Sequence, residues 1–226
     1  MKIAIINSIT VQDFALSQLQ QVSDIDIIIF AFGVTGDVDL AQELSGETKT
    51  FAELVLLSIT KNCIVIAGMN TSFFGIKHKS TIIIENGQIL DINDMVHIFN
   101  QDYEKGKGFK IYDTQLGKIG LIIHNDILFP ETSRLLAVCD CDILITLIDQ
   151  GLPKDCMVMA RSASLSNGIY NVCSEPGSSY LCDQNGAIKY YSKKNFMQIN
   201  FKFQKDKSML KSRQKDKYKE IFSNFL

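Results

Sequence analysis

Apolar residues fall along this chain in two rhythms, short unbroken runs and longer stretches at helical spacing. Ile3–Ile6, Ile25–Phe30, Ile64–Ala67 and Ile143–Leu147 are runs of the first kind, the signature of strands covered on both faces. The second rhythm marks a helix over Val11–Val22, with Val11, Phe14, Ala15, Leu19 and Val22 on one side. It also marks one over Thr50–Lys61, with Phe51, Leu54, Val55 and Ile59 facing inward. Shorter strands follow at Thr71–Phe74, Thr81–Glu85 and Ile89–Ile92, the last two joined by a turn at Asn86-Gly87. Phe109–Tyr112 and Lys118–Ile123 flank a turn at Leu116-Gly117. Helices over Glu131–Val138 and Asp155–Ser166 then alternate with strands at Ile143–Leu147, Ile169–Cys173, Ser178–Cys182 and Ala187–Tyr190, with a hairpin turn at Asn185-Gly186. Mixed strands with helices outside them describe an α/β fold.

Composition narrows the class. The 226 residues are 46% hydrophobic and 21% charged, enough for one sizeable core in an ordinary globular chain. No apolar run approaches the ~20 residues of a membrane span, and the regular strand pattern of Met1–Asn7 is unlike a signal peptide. A net charge of -2 gives no footprint for nucleic acid. The six cysteines lack C-x-x-C pairing and sit mostly in apolar runs, so they are expected as reduced, buried thiols of a cytoplasmic protein.

The most informative stretch is Gly117-Lys-Ile-Gly-Leu-Ile-Ile-His124-Asn-Asp-Ile-Leu-Phe-Pro-Glu131. A buried strand runs into an exposed turn, and Pro130-Glu131 then opens a helix with proline in its first turn and an acid at the positive end of its dipole. The segment resembles the nucleophile motif of the nitrilase, or carbon–nitrogen hydrolase, superfamily. Gly117-Lys118-Ile119-Gly120, Asp126, Phe129-Pro130-Glu131, Arg134 and Ala137 fall on that pattern without a gap. Arg161-Ser-Ala163-Ser164-Leu-Ser166-Asn167 and Asp183-Gln-Asn-Gly186-Ala-Ile188 resemble two further family segments. The resemblance implies a four-layer α-β-β-α sandwich over residues 1–203, followed by a basic arm over 204–226.

The resemblance also implies a catalytic cysteine, a glutamate base and a lysine that meets the oxyanion. That set suits acyl transfer, which needs a thiolate, a proton acceptor and a cation. The cysteine position holds His124, with Asn125 in place of the following tyrosine. The glutamate position is Phe32 when anchored on the second strand, or Ala31 when anchored on Thr35-Gly36. The lysine position is Met95, or Asp94 after a slip of one residue. Phe32, Met95, His124 and Asn125 therefore define the expected pocket at the former triad. The expectation is a pseudo-enzyme inactive in C–N hydrolysis that binds a small molecule or a protein partner. The alternatives are an amide hydrolase working through His124, and a purely structural oligomer subunit.

Bland roles are expected for the remaining candidates. Asp126 is expected to stabilise its turn, and Cys139 and Cys141 to be structural. His78, His97 and His124 show no metal-ligand spacing, so neither a metal nor a cofactor is implied. The tail from Phe203 to Phe222, rich in lysine, is expected as a solvated arm. Its aromatic residues Phe201, Phe203, Tyr218, Phe222 and Phe225 are the other possibility, as anchors on a partner subunit. The resemblance favours a homo-oligomer, a dimer, formed through the outer helix face and this tail.

Overall fold

The computed structural model describes residues 1–17, 22, 24–152, 156–205 and 207–213. The first half contains β1 (Lys2–Ile6), α1 (Val11–Ser17), β2 (Ile27–Phe30), β3 (Asp37–Asp39), α2 (Leu40–Ser45), α3 (Thr50–Lys61), β4 (Ile64–Phe73), β5 (Ile76–Glu85) and β6 (Gln88–Asp94). The second half contains β7 (Ile111–Thr114), β8 (Gly117–Ile123), α4 (Pro130–Val138), β9 (Ile143–Leu147) and α5 (Cys156–Asn167). It closes with β10 (Tyr170–Glu175), β11 (Ser178–Cys182), β12 (Ile188–Ser192), β13 (Phe196–Asn200) and a last turn of helix, α6 (Ser208–Lys211).

Two mixed sheets result, one ordered β13-β1-β2-β4-β5-β6 with β3 beside β4, the other β12-β11-β10-β9-β8-β7. Alternation along the apolar runs divides their side chains. Ile3, Ile5, Ile27, Ile29, Ile64 and Ile66 point toward the second sheet, where they meet Ile119, Leu121, Ile143 and Ile145. Their neighbours Ala4, Ile6, Ile28, Phe30, Val65 and Ala67 pack with Phe14 of α1 and Leu54 and Leu57 of α3. Ile122 and Leu144 pack with Leu136 of α4 and Ala160 and Ala163 of α5. The order is helix, sheet, sheet, helix, the expected four-layer sandwich. The unbroken runs follow from it, because each central strand has apolar neighbours on both faces.

Several expectations change. β4 is one ten-residue strand where two short ones were expected, and β5 begins at Ile76, five residues early. The hairpin between them turns at Phe74-Gly75, with φ of 49° and 84°. A two-residue turn of that hand needs two positive φ values, and Phe-Gly is not the usual sequence for it. β3, α2 and β13 were not expected. α2 nevertheless carries both end signals, since Asp39 caps Ala41 and Gln42 and Gly46 closes it in the left-handed region. Ile59 faces solvent at 58% exposure, while Leu57 takes the inward place. The segment after β8 is not an exposed turn: His124–Leu128 form a 3-10 turn in which His124, Asn125, Asp126 and Ile127 are buried.

α1 is described to Ser17 only, so Leu19 lies outside the described residues. The six cysteines are free, five of them buried and Cys139 exposed. Phe201 and Phe203 pack on Tyr170 of the same chain, with ring centres 5.2 and 5.6 Å away, rather than standing free for a partner. Beyond them the chain folds back, and Lys205 and Lys207 form ion pairs with Asp142 and Asp140. Tyr218, Phe222 and Phe225 lie outside the described residues. Among the described residues no helix is long and apolar enough to cross a membrane.

Gly120 tests the packing beneath the elbow. A Cβ there would lie 2.8 Å from the Cys141 Sγ and 3.2 Å from Leu136 and Leu144 side-chain carbons. Gly120→Ala is expected to lower stability by about 1–3 kcal/mol through overpacking. Adding Cys141→Ala should restore much of the loss in urea unfolding.

Candidate functional site

β8 delivers His124 to the carboxyl end of the second sheet, the edge where open α/β sheets bind ligands. The chain turns sharply there: Ile123 is extended, and His124 has φ of 46°. That left-handed conformation is uncommon for a residue with a Cβ, although histidine, asparagine and aspartate adopt it more readily than most. Its cost is set against burial of the turn and the start of α4 at Pro130.

Asp126 fixes the turn to its surroundings. Its carboxylate accepts N–H bonds from Val96 and His97, the latter at 2.8 Å, and the His97 ring Nδ1 donates to it, also at 2.8 Å. Burial raises the Asp126 pKa, and these same bonds oppose the rise. The His97 ring stacks on Phe129 with centres 3.6 Å apart, and the Asn125 side chain donates to the His97 carbonyl at 3.0 Å. Asp126 thus ties its turn to the segment after β6, its polar partners being Val96 and His97.

The ring of His124 is oriented by the residue just past β9. The Asp149 backbone N–H donates to His124 Nδ1 at 3.2 Å. A ring nitrogen that accepts carries no proton, so the neutral tautomer holds its hydrogen on Nε2. Burial, then the positive charge of Lys79, lower the His124 pKa to about 4, with Asp149 acting in the opposite sense. His124 is therefore neutral near pH 7.

Lys79 was not singled out in the sequence. It lies on β5 opposite Met95, the residue just past β6, whose backbone N–H donates to the Lys79 carbonyl at 2.8 Å, so the two stand side by side. Lys79 is only 7% exposed. Its ammonium pairs with the Asp149 carboxylate and donates to Asn70 Oδ1 at 3.3 Å. It also stands 4.9 Å from the Tyr103 ring centre and 5.5 Å from that of Phe32, within cation–π range. Asp149 thus holds His124 through its backbone and Lys79 through its side chain.

A cavity of about 460 Å³ opens over these groups. Its polar wall is Lys79, Asn100, Tyr103, His124, Asn125 and Gln150, and its apolar wall includes Met95, Ile98, Phe99, Leu128 and Leu152. Of the four residues expected at the pocket, Met95, His124 and Asn125 line the cavity. Phe32 stands behind the wall, against Lys79 and against Gly68, where a Cβ would come within 2.8 Å of its ring. The alternative residues stand elsewhere: Ala31 is buried in the core beneath α1 and α3, and Asp94 accepts a bond from Ser80 at 2.6 Å. Among the described residues no three His, Cys, Asp or Glu side chains are grouped to hold a metal ion. The missed residues carried a faint signal. Lys77-His78-Lys79 precedes the apolar run of β5, and Asp149 follows the buried run Ile143–Ile148 much as His124 follows β8.

Residues 26–192 match the carbon–nitrogen hydrolase family. A probable nitrilase of Schizosaccharomyces pombe is 31% identical over 110 residues, 46% of this chain and 40% of that protein. A nitrilase of Pyrococcus abyssi is 25% identical over 142 residues, 61% of this chain and 53% of that one. The chain spans about half the length of these curated relatives. The solved structure of a mutant amidase from Nesterenkonia sp. AN1, with acrylamide added at its active-site cysteine, superposes with a TM-score of 0.73 at 12% identity over 100% of both chains. At that identity the likeness is one of fold.

The environment of His124 gives a pH dependence. The folded chain resists protonating the ring until about pH 4, whereas the unfolded chain takes the proton near 6.5. Between those values the unfolded state binds more protons, so this contribution to stability is lost as pH falls from 6.5 to 4. His124→Asn keeps an acceptor for the Asp149 N–H and tolerates the positive φ. The stability of the parent chain relative to this variant, measured in urea at pH 7.5 and pH 4.5, should decline at the lower pH.

Proposed function

We propose, since the chain belongs to the carbon–nitrogen hydrolase family, that it is a non-hydrolytic member binding a small molecule in the cavity over His124. The observation that carries this reading is the fixed orientation of the His124 ring. The one nitrogen able to accept a proton is turned toward the Asp149 N–H, and Nε2 is already protonated. A histidine held so offers neither a nucleophilic lone pair nor a base to the cavity. Among the described residues lining the cavity there is no cysteine and no carboxylate. Phe32 and Met95, at the positions where the family resemblance expects a base and a cation, are apolar. The cavity volume lies in the range of small-molecule sites.

Residues 1–203 are taken as one nitrilase-like unit, with 204–226 as an arm. β13 pairing with β1 and the packing of Phe203 on Tyr170 support a boundary at that point. Six free thiols, one of them exposed, fit a reducing compartment such as the cytoplasm.

A second reading, self-association, is favoured by the outer face of α4 and α5. Leu135, Val138, Val158 and Leu165 are 46–60% exposed there, and contiguous apolar exposure marks contact surfaces. The occupant proposed is a second copy of this chain.

Three measurements test these readings. Incubation with a panel of small aliphatic and aromatic amides and nitriles should release no ammonia above background, while NMR fragment titration should shift signals of cavity residues saturably. Leu128→Trp, which fills the cavity, should abolish those shifts. Turnover that disappears in His124→Ala would overturn the non-hydrolytic reading. Light scattering at micromolar concentration should report a dimer, and Val158→Asp should convert it to a monomer.

A further inference from the structure

The chemistry of the cavity wall narrows its ligand, an inference that rests on the binding reading above. Among the described residues lining the cavity the one charged side chain is Lys79. The Asp149 carboxylate that pairs with it lies on the wall of the neighbouring crevice, and its other oxygen accepts the Gln150 N–H at 2.8 Å. An ammonium has three N–H groups. Asp149 and Asn70 engage two of those on Lys79. Beside it the His124 ring carries a proton on Nε2, since Nδ1 is taken. The wall therefore sets a cationic donor and a neutral donor next to an apolar surface of Met95, Ile98 and Leu128.

From this juxtaposition the geometry points to a subsite for a small monocarboxylate, its oxygens bound by Lys79 and by His124 Nε2–H and its hydrocarbon tail lying on the apolar wall. A neutral amide of the same shape would accept the same bonds without their ionic part, and charge-assisted bonds are roughly twice as strong as neutral ones. A dianion is disfavoured, because Lys79, shared with Asp149, has one N–H left to give and the added negative charge would meet no further cation among the described lining residues. Asp149 is a positioning residue here: it aims both donors, and it also competes with the ligand for Lys79.

The test is calorimetric titration of the full chain with two matched pairs, butyrate against butyramide and benzoate against benzamide, at neutral pH. Each acid should bind about tenfold or more tightly than its amide, the ratio expected from one charged contact. Lys79→Met should bring that ratio to about 1. Asp149→Asn removes the competing carboxylate and keeps the backbone N–H, so it should raise the ratio of acid to amide affinity severalfold. This opposite sign keeps the proposal falsifiable should Lys79→Met fail to fold. Amides binding as well as acids would overturn the carboxylate subsite and leave the small-molecule reading standing. Absence of binding by all four probes, together with no fragment shifts at the cavity, would overturn both.

Discussion

The structure depends on two sheets burying their inner faces against each other while helices bury their outer ones. That demand makes both faces of the central strands apolar, and it accounts for the runs of isoleucine in β1, β2, β4 and β9. Each such side chain removed from water contributes about 1.5–3 kcal/mol, so the register between the sheets is strongly held. The ends of the strands are therefore fixed points. His124 after β8 and Asp149 after β9 stand at one edge because their strands run parallel and in register. The site takes its precision from the sheet and needs only short connections to complete it.

Along that edge, polar groups from both sheets meet. Lys79 comes from the first sheet, while His124 and Asp149 come from the second. The part-buried pair of Lys79 with Asp149 is consequently a link between the layers as well as a feature of the cavity. Burying two charges carries a desolvation cost that their attraction does not always offset. The bond from Asn70 and the rings of Phe32 and Tyr103 complete the surroundings of the ammonium. On the proposed reading, Phe32 acts through Lys79 and not through direct contact with a ligand.

The sandwich was legible in the sequence because its strands are apolar on both faces and its hairpins at Asn86-Gly87 and Asn185-Gly186 carry turn residues. α3, β9 and β11 lie where periodicity places them. β13 and β3 were missed because Phe196–Asn200 and Asp37–Asp39 are short, partly polar edge segments. The Phe74-Gly75 turn was missed because phenylalanine seldom adopts a positive φ. At the site, His124, Asn125 and Met95 were legible from motif position alone. Lys79 and Asp149 were not, because their importance arises from cross-strand and cross-sheet proximity, which lies in no linear spacing.

The pairing of Lys79 with Met95 across adjacent strands separates two quantities that are easily treated as one, the identity of a residue at a position and the presence of a charge at a point in space. Met95 is uncharged, yet it sits beside Lys79, which brings an ammonium to the same cavity wall. Inspection of Met95 alone describes an uncharged wall, whereas the same wall carries the Lys79 ammonium with its Asp149 partner behind it. For folds built on paired strands, the unit that records a site's inheritance is the cross-strand row, not the single residue.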